Sequence, residues 1–198
     1  MPASQPVLST PEAALPDKDF IPSSLRRLIL TGFMGAGKST IGHLLAARIG
    51  WNFLDLDQHL EARAGATIPD LFSRYGEAHF RRLESTALAS ALGRSGCILA
   101  LGGGTPESLT NRLLIEQTPA TAAVFLDAPF DILFDRCMLQ EISRPVLADP
   151  VAAQLRFERR RPLYRQLAHL TIDTSFKTSA ETVDAIVVGL NQIAQFRT

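Results

Sequence analysis

The segment Gly32-Phe33-Met34-Gly35-Ala36-Gly37-Lys38-Ser39 has the residue types and spacing of a phosphate-binding loop. It fits the pattern G-x-x-x-x-G-K-[ST] and stands between an apolar run (27–32) and a helical pattern (38–50). Backbone N–H groups of such a loop surround an anion, and the start of the helix adds positive potential. The alternative is a chance glycine-rich turn. The residues predicted to bind ATP or GTP are Gly35, Ala36, Gly37, Lys38, Ser39 and Thr40.

Within this loop, individual side chains have separate predicted tasks. Lys38 is expected to reach the β- and γ-phosphates, and the hydroxyl of Ser39 is expected to coordinate Mg²⁺. Thr40 is expected to lie near the α-phosphate. The loop therefore predicts nucleotide binding, while the reaction has to be read from other residues.

Two carboxylates alternate at the end of the second strand-like run, WNFLDLD (51–57). A period of two would place Asp55 and Asp57 on one side of a strand, at the sheet edge where α/β proteins bind ligands. One acid could orient Mg²⁺ through water, and the other could accept a proton from a substrate hydroxyl. The alternative for Asp57 is the capping of a helix.

An arginine and a glycine turn suggest where a second substrate would bind. Arg81 lies in a helical pattern (77–94), with Glu84 three residues later in position to orient its guanidinium group. That planar group suits bidentate binding of a carboxylate, although a plain surface Glu–Arg pair is the alternative. The turn Gly102-Gly103-Gly104 follows a third strand and lets the backbone approach a small molecule closely. An ordinary strand-to-helix turn is the alternative there.

The order of elements predicts an α/β fold. Strand-like and helical patterns alternate about five times, which favours a parallel sheet with helices on both faces. The patterns also predict separate helices at 67–76 and 77–94, and a helix at 151–168 that is interrupted near Pro162. The sequence shows no second folded domain.

Composition limits the partners that the chain can have. The 198 residues carry no net charge at pH 7, which argues against nucleic acid and against an anionic membrane surface. No apolar stretch is long enough for a membrane-spanning helix. The two cysteines, Cys97 and Cys137, lack the spacing of a metal site or disulfide framework, which favours a reducing, cytoplasmic location.

Six motifs occur in a fixed order, and together they resemble the shikimate kinase family from residue 27 to about 196. They are GFMGAGKST, LDLD, FRRLE, LGGGTP, SRPVL and RRRPLY. The resemblance implies a nucleoside monophosphate kinase-like fold, which is a three-layer α/β P-loop kinase fold with a five-stranded parallel sheet. It also implies transfer of the γ-phosphoryl group of ATP to the 3-hydroxyl of shikimate.

The resemblance also implies roles for individual residues. Asp57 would contact the shikimate hydroxyls as a base or orienting group, and Asp55 would sit near Mg²⁺ through water. Arg81 and Arg160 would hold the shikimate carboxylate, and Arg144 would reach the phosphates from a lid. The remaining matches are backbone contacts from Gly102, Gly103 and Gly104, stacking of Arg136 on adenine, and apolar contacts from Phe72 and Phe80, for which core packing is the alternative.

The predicted organisation is a proline-rich, flexible tail (1–24) followed by one kinase domain (25–198). A docking arm for a partner is the alternative for the tail. The domain would contain a shikimate-binding segment (about 57–94) and a lid (about 137–152). The expected partners are shikimate and ATP with Mg²⁺, and a monomer is expected. Two other functions remain open: a gluconokinase-like kinase of small polyols, and a P-loop binding module without catalysis.

Overall fold

Five parallel strands form the central sheet of the protein. The computed structural model describes residues 21–139 and 149–195. The strands are β1 (Arg27–Thr31), β2 (Asn52–Asp55), β3 (Cys97–Ala100), β4 (Thr121–Asp127) and β5 (Leu170–Asp173). They lie in the order β2-β3-β1-β4-β5. The predicted five-stranded parallel sheet is therefore confirmed.

Helices cover both faces of this sheet. They are α1 (Lys38–Ile49), α2 (Leu56–Ala64), α3 (Ile68–Leu92), α4 (Leu109–Glu116), α5 (Phe130–Leu139), α6 (Pro150–Leu167) and α7 (Ser179–Gln195). Side chains of α1, α5, α6 and α7 pack in one apolar core, and side chains of α2, α3 and α4 pack in another. A short 3₁₀ turn (Thr105–Glu107) connects β3 to α4.

The strand β1 shows why the sheet needs a helical layer on each side. Leu28 and Leu30 belong to one core, whereas Ile29 belongs to the other, and none of the three is exposed to solvent. Alternate residues of a strand point to opposite faces, so a strand that is apolar at every position must be covered twice.

The register of the strands brings three loops to one edge of the sheet. Leu30 lies opposite Ala100, and Ala100 lies opposite Asp55. The strands β1, β3 and β2 thus end at the same level, because parallel strands run in one direction. The phosphate-binding loop, the glycine turn and the start of α2 consequently meet at the carboxyl edge, where open α/β sheets bind ligands.

The two helices predicted at 67–76 and 77–94 are the two parts of α3, joined at a kink. Gly76 has a φ of 75° and a ψ of 173°, which is far from helical geometry. A positive φ is easily adopted only by glycine, so this residue sets the change of direction. The boundary that the sequence suggested after Gly76 coincides with the kink.

The predicted interruption at Pro162 is wrong. The helix α6 continues through this residue from Pro150 to Leu167. Proline removes one backbone hydrogen bond, to the carbonyl of Glu158, but tertiary packing offsets the loss. Phe157 and Tyr164 are both buried in the core on either side of it. Local propensity is a weak guide where a helix is held by its neighbours.

Several predictions fall on residues outside the described ranges. They concern residues 1–20 of the predicted tail, Arg144, most of the predicted lid (140–148) and the last residues of the chain (196–198). Ile21, inside the predicted tail, is buried against the first core. In the described part of the chain, no helix is both long enough and apolar enough to cross a membrane.

Thr67 provides a test of how local signals stabilise the fold. Its hydroxyl caps α3 by accepting a hydrogen bond from the backbone N–H of Asp70. We expect Thr67→Ala to lower the free energy of unfolding by about 1 kcal/mol, the usual cost of losing such a cap. Urea denaturation followed by circular dichroism measures the change.

The matched control is Thr86→Ala, which removes an exposed hydroxyl from the interior of the same helix. Alanine is the better helix former there, so this variant should be as stable as the parent or slightly more stable. Equal losses from both variants would contradict the capping role of Thr67.

Candidate functional site

The helix α1 begins without a side-chain cap, and this is the feature that fits it to an anion. Its N-cap residue is Gly37, which is in the left-handed conformation with a φ of 84°. No acidic residue lies in the first turn of the helix. By contrast, α2, α3, α4 and α6 each begin with a side chain that caps their N–H groups. The uncapped N–H groups and the helix dipole of α1 together favour a phosphate at this position.

Lys38 is held against the loop that precedes it. Its Nζ donates hydrogen bonds to the carbonyl oxygens of Gly32 at 2.8 Å and Phe33 at 3.0 Å. The loop itself is packed tightly against α5: a Cβ on Gly35 would lie 2.3 Å from the carbonyl oxygen of Leu133. Gly35 also has a φ of 77°, so both space and backbone geometry require glycine there.

Asp55 and Ser39 are direct neighbours. The hydroxyl of Ser39 donates to Oδ2 of Asp55 at 3.1 Å. The other oxygen of Asp55 caps α2 by accepting from the backbone N–H groups of Asp57 at 3.0 Å and Gln58 at 3.4 Å. The contact with Ser39 places the carboxylate of Asp55 beside the residue that the motif assigns to Mg²⁺.

The prediction that Asp55 and Asp57 alternate on one strand is wrong in its geometry. The strand β2 ends at Asp55, and Asp57 lies in the first turn of α2. The capping considered for Asp57 is performed by Asp55 instead. The chain turns from strand to helix between the two residues, so strand periodicity does not relate their side chains.

Asp57 nevertheless faces the phosphate-binding loop. A Cβ built on Gly102 would lie 2.5 Å from Oδ1 of Asp57, so the carboxylate lies directly against the main chain of the glycine turn. Asp57, Asp55 and Gly102 line one cavity of about 130 Å³ together with Lys38 and Ser39. An acceptor hydroxyl beside Asp57 would thus share a cavity with the predicted phosphate-binding residues.

Arg81 is held by acidic partners on its own helix. Its Nη1 donates to Glu84 at 3.0 Å, and its Nε and Nη2 donate to Glu77 at 3.3 and 3.2 Å. Glu84 is only 2% exposed and also accepts a hydrogen bond from the hydroxyl of Thr105 at 2.8 Å. Burial lowers the pKa of Arg81, but the charges and hydrogen bonds of Glu84 and Glu77 outweigh it and raise the pKa, so Arg81 stays charged.

The guanidinium groups of Arg81 and Arg160 meet at the glycine turn. A Cβ on Gly104 would lie 2.9 Å from both terminal nitrogens of Arg81 and 3.1 Å from Nη2 of Arg160. Glu107 lies between them: its Oε2 accepts from Arg160 at 2.8 Å and is 3.6 Å from Nη2 of Arg81. Two planar guanidinium groups in one small region are an arrangement that suits a carboxylate.

Three successive arginines of α6 point in different directions. Arg160 joins the glycine turn, whereas Arg161 donates to Asp127 at 3.0 Å. Arg159 is largely exposed and pairs with Glu107. Successive residues of a helix are rotated by about 100° around its axis. The three guanidinium groups of this run therefore cannot all make the same contacts at one site. Arg160 thus lies beside Arg81 at Gly104, and its contact with the shikimate carboxylate stays a prediction.

Tyr164, for which no role was predicted, holds the glycine turn in place. Its hydroxyl donates a hydrogen bond to the carbonyl oxygen of Gly103 at 2.6 Å. Burial raises the pKa of Tyr164 well above its ordinary value, although the charge of Arg160 opposes the shift. The hydroxyl therefore keeps its proton at neutral pH and acts as a donor. It stands four residues after Arg160 on α6, which was the signal available in the sequence.

Arg136 lies beside the phosphate-binding loop, and its contact with adenine stays a prediction. Its guanidinium group donates to the backbone carbonyl of Thr174 at 2.6 Å and to the hydroxyl of the same residue at 3.2 Å. A cavity of about 310 Å³ lies between the loop and the start of α7 and is lined by Arg136, Thr40 and Lys177. Lys177 had no role in the prediction, because no motif surrounds it.

Phe72 and Phe80 stack on each other with ring centroids 4.5 Å apart. Phe80 is 4% exposed and belongs to the second core, and its ring also lies 5.3 Å from the guanidinium carbon of Arg81. Phe72 is 37% exposed. Core packing therefore accounts for Phe80, which also supports Arg81 through a cation–π contact.

Arg144 lies outside the described residues, so its predicted contact with the phosphates stays a prediction. Among the residues that the structure does describe, no group of three or more His, Cys, Asp or Glu could hold a metal ion. Any cation at this edge of the sheet would therefore rely on few protein ligands. Mg²⁺ is commonly bound in that way, through one or two protein ligands and water.

Glu107 and Thr105 are two further members of the site, besides Tyr164 and Lys177, that sequence reasoning missed. Both lie in the short turn after the three glycines, where neither helical nor strand periodicity applies. Glu107 contacts Arg160, 53 residues further along the chain. The sequence contains no local pattern that would connect them.

Comparison with known proteins identifies the family to which the chain is similar. The family model for shikimate kinase matches residues 34–191. The shikimate kinase of Geobacter sulfurreducens is 40% identical over 169 residues, which are 84% of this chain and 91% of the relative. The structure of a shikimate kinase from Acinetobacter baumannii in complex with shikimate has a TM-score of 0.76 and 34% identity, and covers 85% of this chain and 94% of that one.

More distant structures share only the fold. A gluconokinase from Sinorhizobium meliloti has a TM-score of 0.60 at 20% identity, over 87% of this chain and 95% of that one. These neighbours confirm the predicted P-loop kinase fold of the nucleoside monophosphate kinase type. Differences in substrate must then come from the residues at the carboxyl edge of the sheet.

Glu84 provides a test of how the arginine is supported. We expect Glu84→Gln to lower the free energy of unfolding by about 1–3 kcal/mol, because it removes a charged hydrogen-bond partner from Arg81 in a buried position. The cost should stay below that of a fully buried broken ion pair, since Arg81 is partly exposed and keeps Glu77. Urea denaturation measures it.

Glu77→Gln is the matched control, because it removes the same charge from an exposed partner of the same arginine. Exposed ion pairs contribute little, so this variant should lose less than about 1 kcal/mol. A loss from Glu77→Gln as large as that from Glu84→Gln would contradict the structural role of the buried carboxylate.

Proposed function

The chain belongs to the shikimate kinase family, and we propose that it transfers the γ-phosphoryl group of ATP to the 3-hydroxyl of shikimate, giving shikimate 3-phosphate and ADP. The observation that carries this proposal is the meeting of Arg81 and Arg160 at Gly104. These two cations fit the carboxylate of a small acid. Asp57 and the phosphate-binding loop line the adjoining cavity, where the hydroxyl of that acid would react.

The two arginines would hold the acid by its carboxylate. Bidentate contacts from planar guanidinium groups fix both the position and the orientation of a carboxylate. The glycine turn would then lie along the molecule, because glycines let the backbone approach closely. Tyr164 holds that turn through Gly103, and Glu84 holds Arg81, so these contacts exist before the substrate arrives.

Asp57 would orient the attacking hydroxyl and accept its proton. Its carboxylate lies against Gly102, in the cavity that it shares with Lys38 and Ser39. Phosphoryl transfer depends mainly on in-line positioning and on neutralising charge. Asp57 therefore needs to fix the direction of the hydroxyl oxygen and accept its proton as the new bond forms.

The nucleotide would be bound by the phosphate-binding loop and the cavity beside Arg136. The N–H groups at the start of α1 would hold the phosphates, and Lys38 would exchange its contacts with Gly32 and Phe33 for phosphate oxygens. Arg136 would lie beside the adenine in the cavity next to the loop. Arg144 would add a second cation near the transferring group, from the predicted lid.

The residues present also fit Mg²⁺. The hydroxyl of Ser39 and the carboxylate of Asp55 lie 3.1 Å apart in the cavity beside the phosphate-binding loop, and oxygen ligands are those that Mg²⁺ prefers. We propose that Ser39 binds the ion directly and that Asp55 binds it through water. When bound, Mg²⁺ neutralises negative charge on the β- and γ-phosphates.

The proposed location is the cytoplasm and the proposed state is a monomer. Cys97 and Cys137 are both buried and are not joined by a disulfide bond, which suits a reducing compartment. One chain supplies Asp57, Arg81 and Arg160, so the proposed acid site needs no second subunit.

A coupled assay of ADP release tests the function. Purified protein is supplied with ATP and Mg²⁺, and with shikimate, gluconate or no acceptor in parallel. We expect ADP release to depend on shikimate. A reaction driven by gluconate would indicate the polyol kinase instead, and ATP binding without ADP release in any mixture would indicate a binding module.

Asp57→Asn tests the proposed acceptor contact. The amide keeps the size of the side chain but cannot take up the hydroxyl proton, so we expect kcat to fall at least about a hundredfold. Binding of ATP, measured by calorimetry, should stay within about twofold of the parent. Full activity of this variant would exclude Asp57 from the acceptor site.

Arg81→Lys tests the proposed carboxylate contact. Lysine keeps the positive charge beside Glu84 but loses the planar pair of donors. We expect the KM for shikimate to rise about ten- to a hundredfold, which corresponds to the loss of a charge-assisted hydrogen bond. Steady-state kinetics at saturating ATP measure it.

The matched control is Arg82→Lys, the same change at the neighbouring, exposed residue of α3. Its KM for shikimate should equal that of the parent. An unchanged KM in Arg81→Lys would show that this arginine does not bind the acid.

A further inference from the structure

Glu107 occupies the position between the two arginines that a bound carboxylate would need. One of its oxygens, Oε2, accepts from Arg160 at 2.8 Å and lies 3.6 Å from Nη2 of Arg81. The same two guanidinium groups converge on Gly104. A carboxylate of the chain itself thus makes the contacts that the proposed function assigns to the substrate.

The charges around this point are balanced without any ligand. Ion pairs connect three arginines to three glutamates: Arg81, Arg159 and Arg160 to Glu77, Glu84 and Glu107. Glu77 and Glu84 form ion pairs with Arg81. Among the described residues, Arg160 has an ion pair with Glu107 alone. If Glu107 withdrew from Arg160, one positive charge would be left uncompensated, which matches a monovalent acid.

Arg160 has capacity for a further acceptor. Its Nε is buried and has no hydrogen-bond partner among the residues that the structure describes. A buried donor without an acceptor costs free energy, so the contacts of Arg160 in this state are incomplete. A ligand with two oxygens could satisfy more of its donors than the single oxygen of Glu107 does.

Glu107 can withdraw without disturbing the turn that carries it. The backbone of this turn is held by Arg112, which donates to the carbonyl of Pro106, and by Asn111, which donates to the carbonyl of Thr105. The side chain of Glu107 is 23% exposed, and its other oxygen accepts from Arg159, which is 68% exposed. Rotation toward solvent would therefore keep one ion pair while it releases Arg160.

We propose that Glu107 is an internal competitor that occupies the carboxylate position between Arg81 and Arg160 and is displaced when the substrate acid binds. The proposal rests on the function proposed above, and it deepens that function by identifying a residue that sets affinity and selectivity.

Burial raises the pKa of Glu107, but hydrogen bonds and charge from Arg160 and Arg159 outweigh it and lower the pKa. The competitor is consequently charged at neutral pH.

Displacement has two consequences for recognition. The apparent affinity for the acid is reduced by the fraction of molecules in which Glu107 holds the position. A ligand without a negative charge cannot replace the lost ion pair, so it cannot displace Glu107. The residue would thus select for anionic acceptors at some cost in affinity.

Glu107→Gln is the test, because the amide has the same shape and no charge. We expect the KM for shikimate to fall about three- to tenfold, the factor that corresponds to a hydrogen bond of ordinary net strength, because the amide oxygen can still accept from Arg160 and only the contribution of the charge is lost. The kcat should change less than twofold, since Glu107 makes its contacts at the carboxylate position. An unchanged or increased KM would overturn the proposal, and an increase would show that Glu107 instead orients the arginines for the substrate.

Two comparisons make the result specific. Glu116→Gln, at an exposed position of α4, makes the same change in net charge and should leave the KM unchanged. The methyl ester of shikimate carries no charge and cannot displace Glu107, so Glu107→Gln should improve binding of the ester at least as much as it improves binding of the acid. A gain for the acid without a gain for the ester would contradict the selection of anionic acceptors by Glu107.

A crystal structure of the parent protein with shikimate tests the same proposal without any variant. We expect the carboxylate of shikimate to contact Arg81 and Arg160, with Glu107 more than about 4 Å from Arg160 and still beside Arg159. If Glu107 still contacted both Arg81 and Arg160 in the presence of shikimate, displacement would be refuted. If the parent released no ADP with shikimate, the proposed function itself would be wrong, and that outcome is separate from these.

Discussion

The site depends on bare main chain lying directly against charged side chains at the carboxyl edge of the sheet. A single added carbon at Gly102 would lie 2.5 Å from the carboxylate of Asp57, and one at Gly104 would lie 2.9 Å from Arg81. Real Cβ atoms do not approach other atoms so closely, so a side chain at either position would displace the groups that surround the proposed substrate. The strand register makes this approach possible, because it ends β1, β2 and β3 at one level.

Around this edge, the polar groups are already held in place by other parts of the chain. Asp55 caps α2 and accepts from Ser39, while the buried Glu84 holds Arg81. Tyr164 fixes the glycine turn from α6. Groups that are oriented before the ligand arrives need little reorganisation during the reaction, and this is the main way in which a protein assists phosphoryl transfer. Ion pairs of Arg81 with Glu84 and of Arg160 with Glu107 also explain how buried and partly buried charges can coexist in one small region.

The fold alone does not set the acceptor. A gluconokinase with 20% identity has a similar architecture, and its likeness extends over most of both chains. The proposed acceptor site in this chain depends on side chains of α3 and α6 that converge on one turn. This division is common among α/β enzymes, in which the sheet and helices form a frame and the loops at the carboxyl edge carry the chemistry. Glu107 belongs to these loops, so it can tune affinity without affecting the frame.

The sequence by itself determined what depends on near neighbours: the phosphate-binding loop, the alternation of strands and helices, and the kink at Gly76. It misplaced Asp57 on a strand, because α2 begins directly after its cap Asp55. It also predicted a break at Pro162, where tertiary packing outweighs local propensity. The family resemblance singled out Arg160 from the run on α6, but only the tertiary structure decided that Glu107 lies between Arg160 and Arg81. Such contacts join residues far apart in the chain, and their proximity is fixed by strand order and helix packing. No short pattern of residues encodes either.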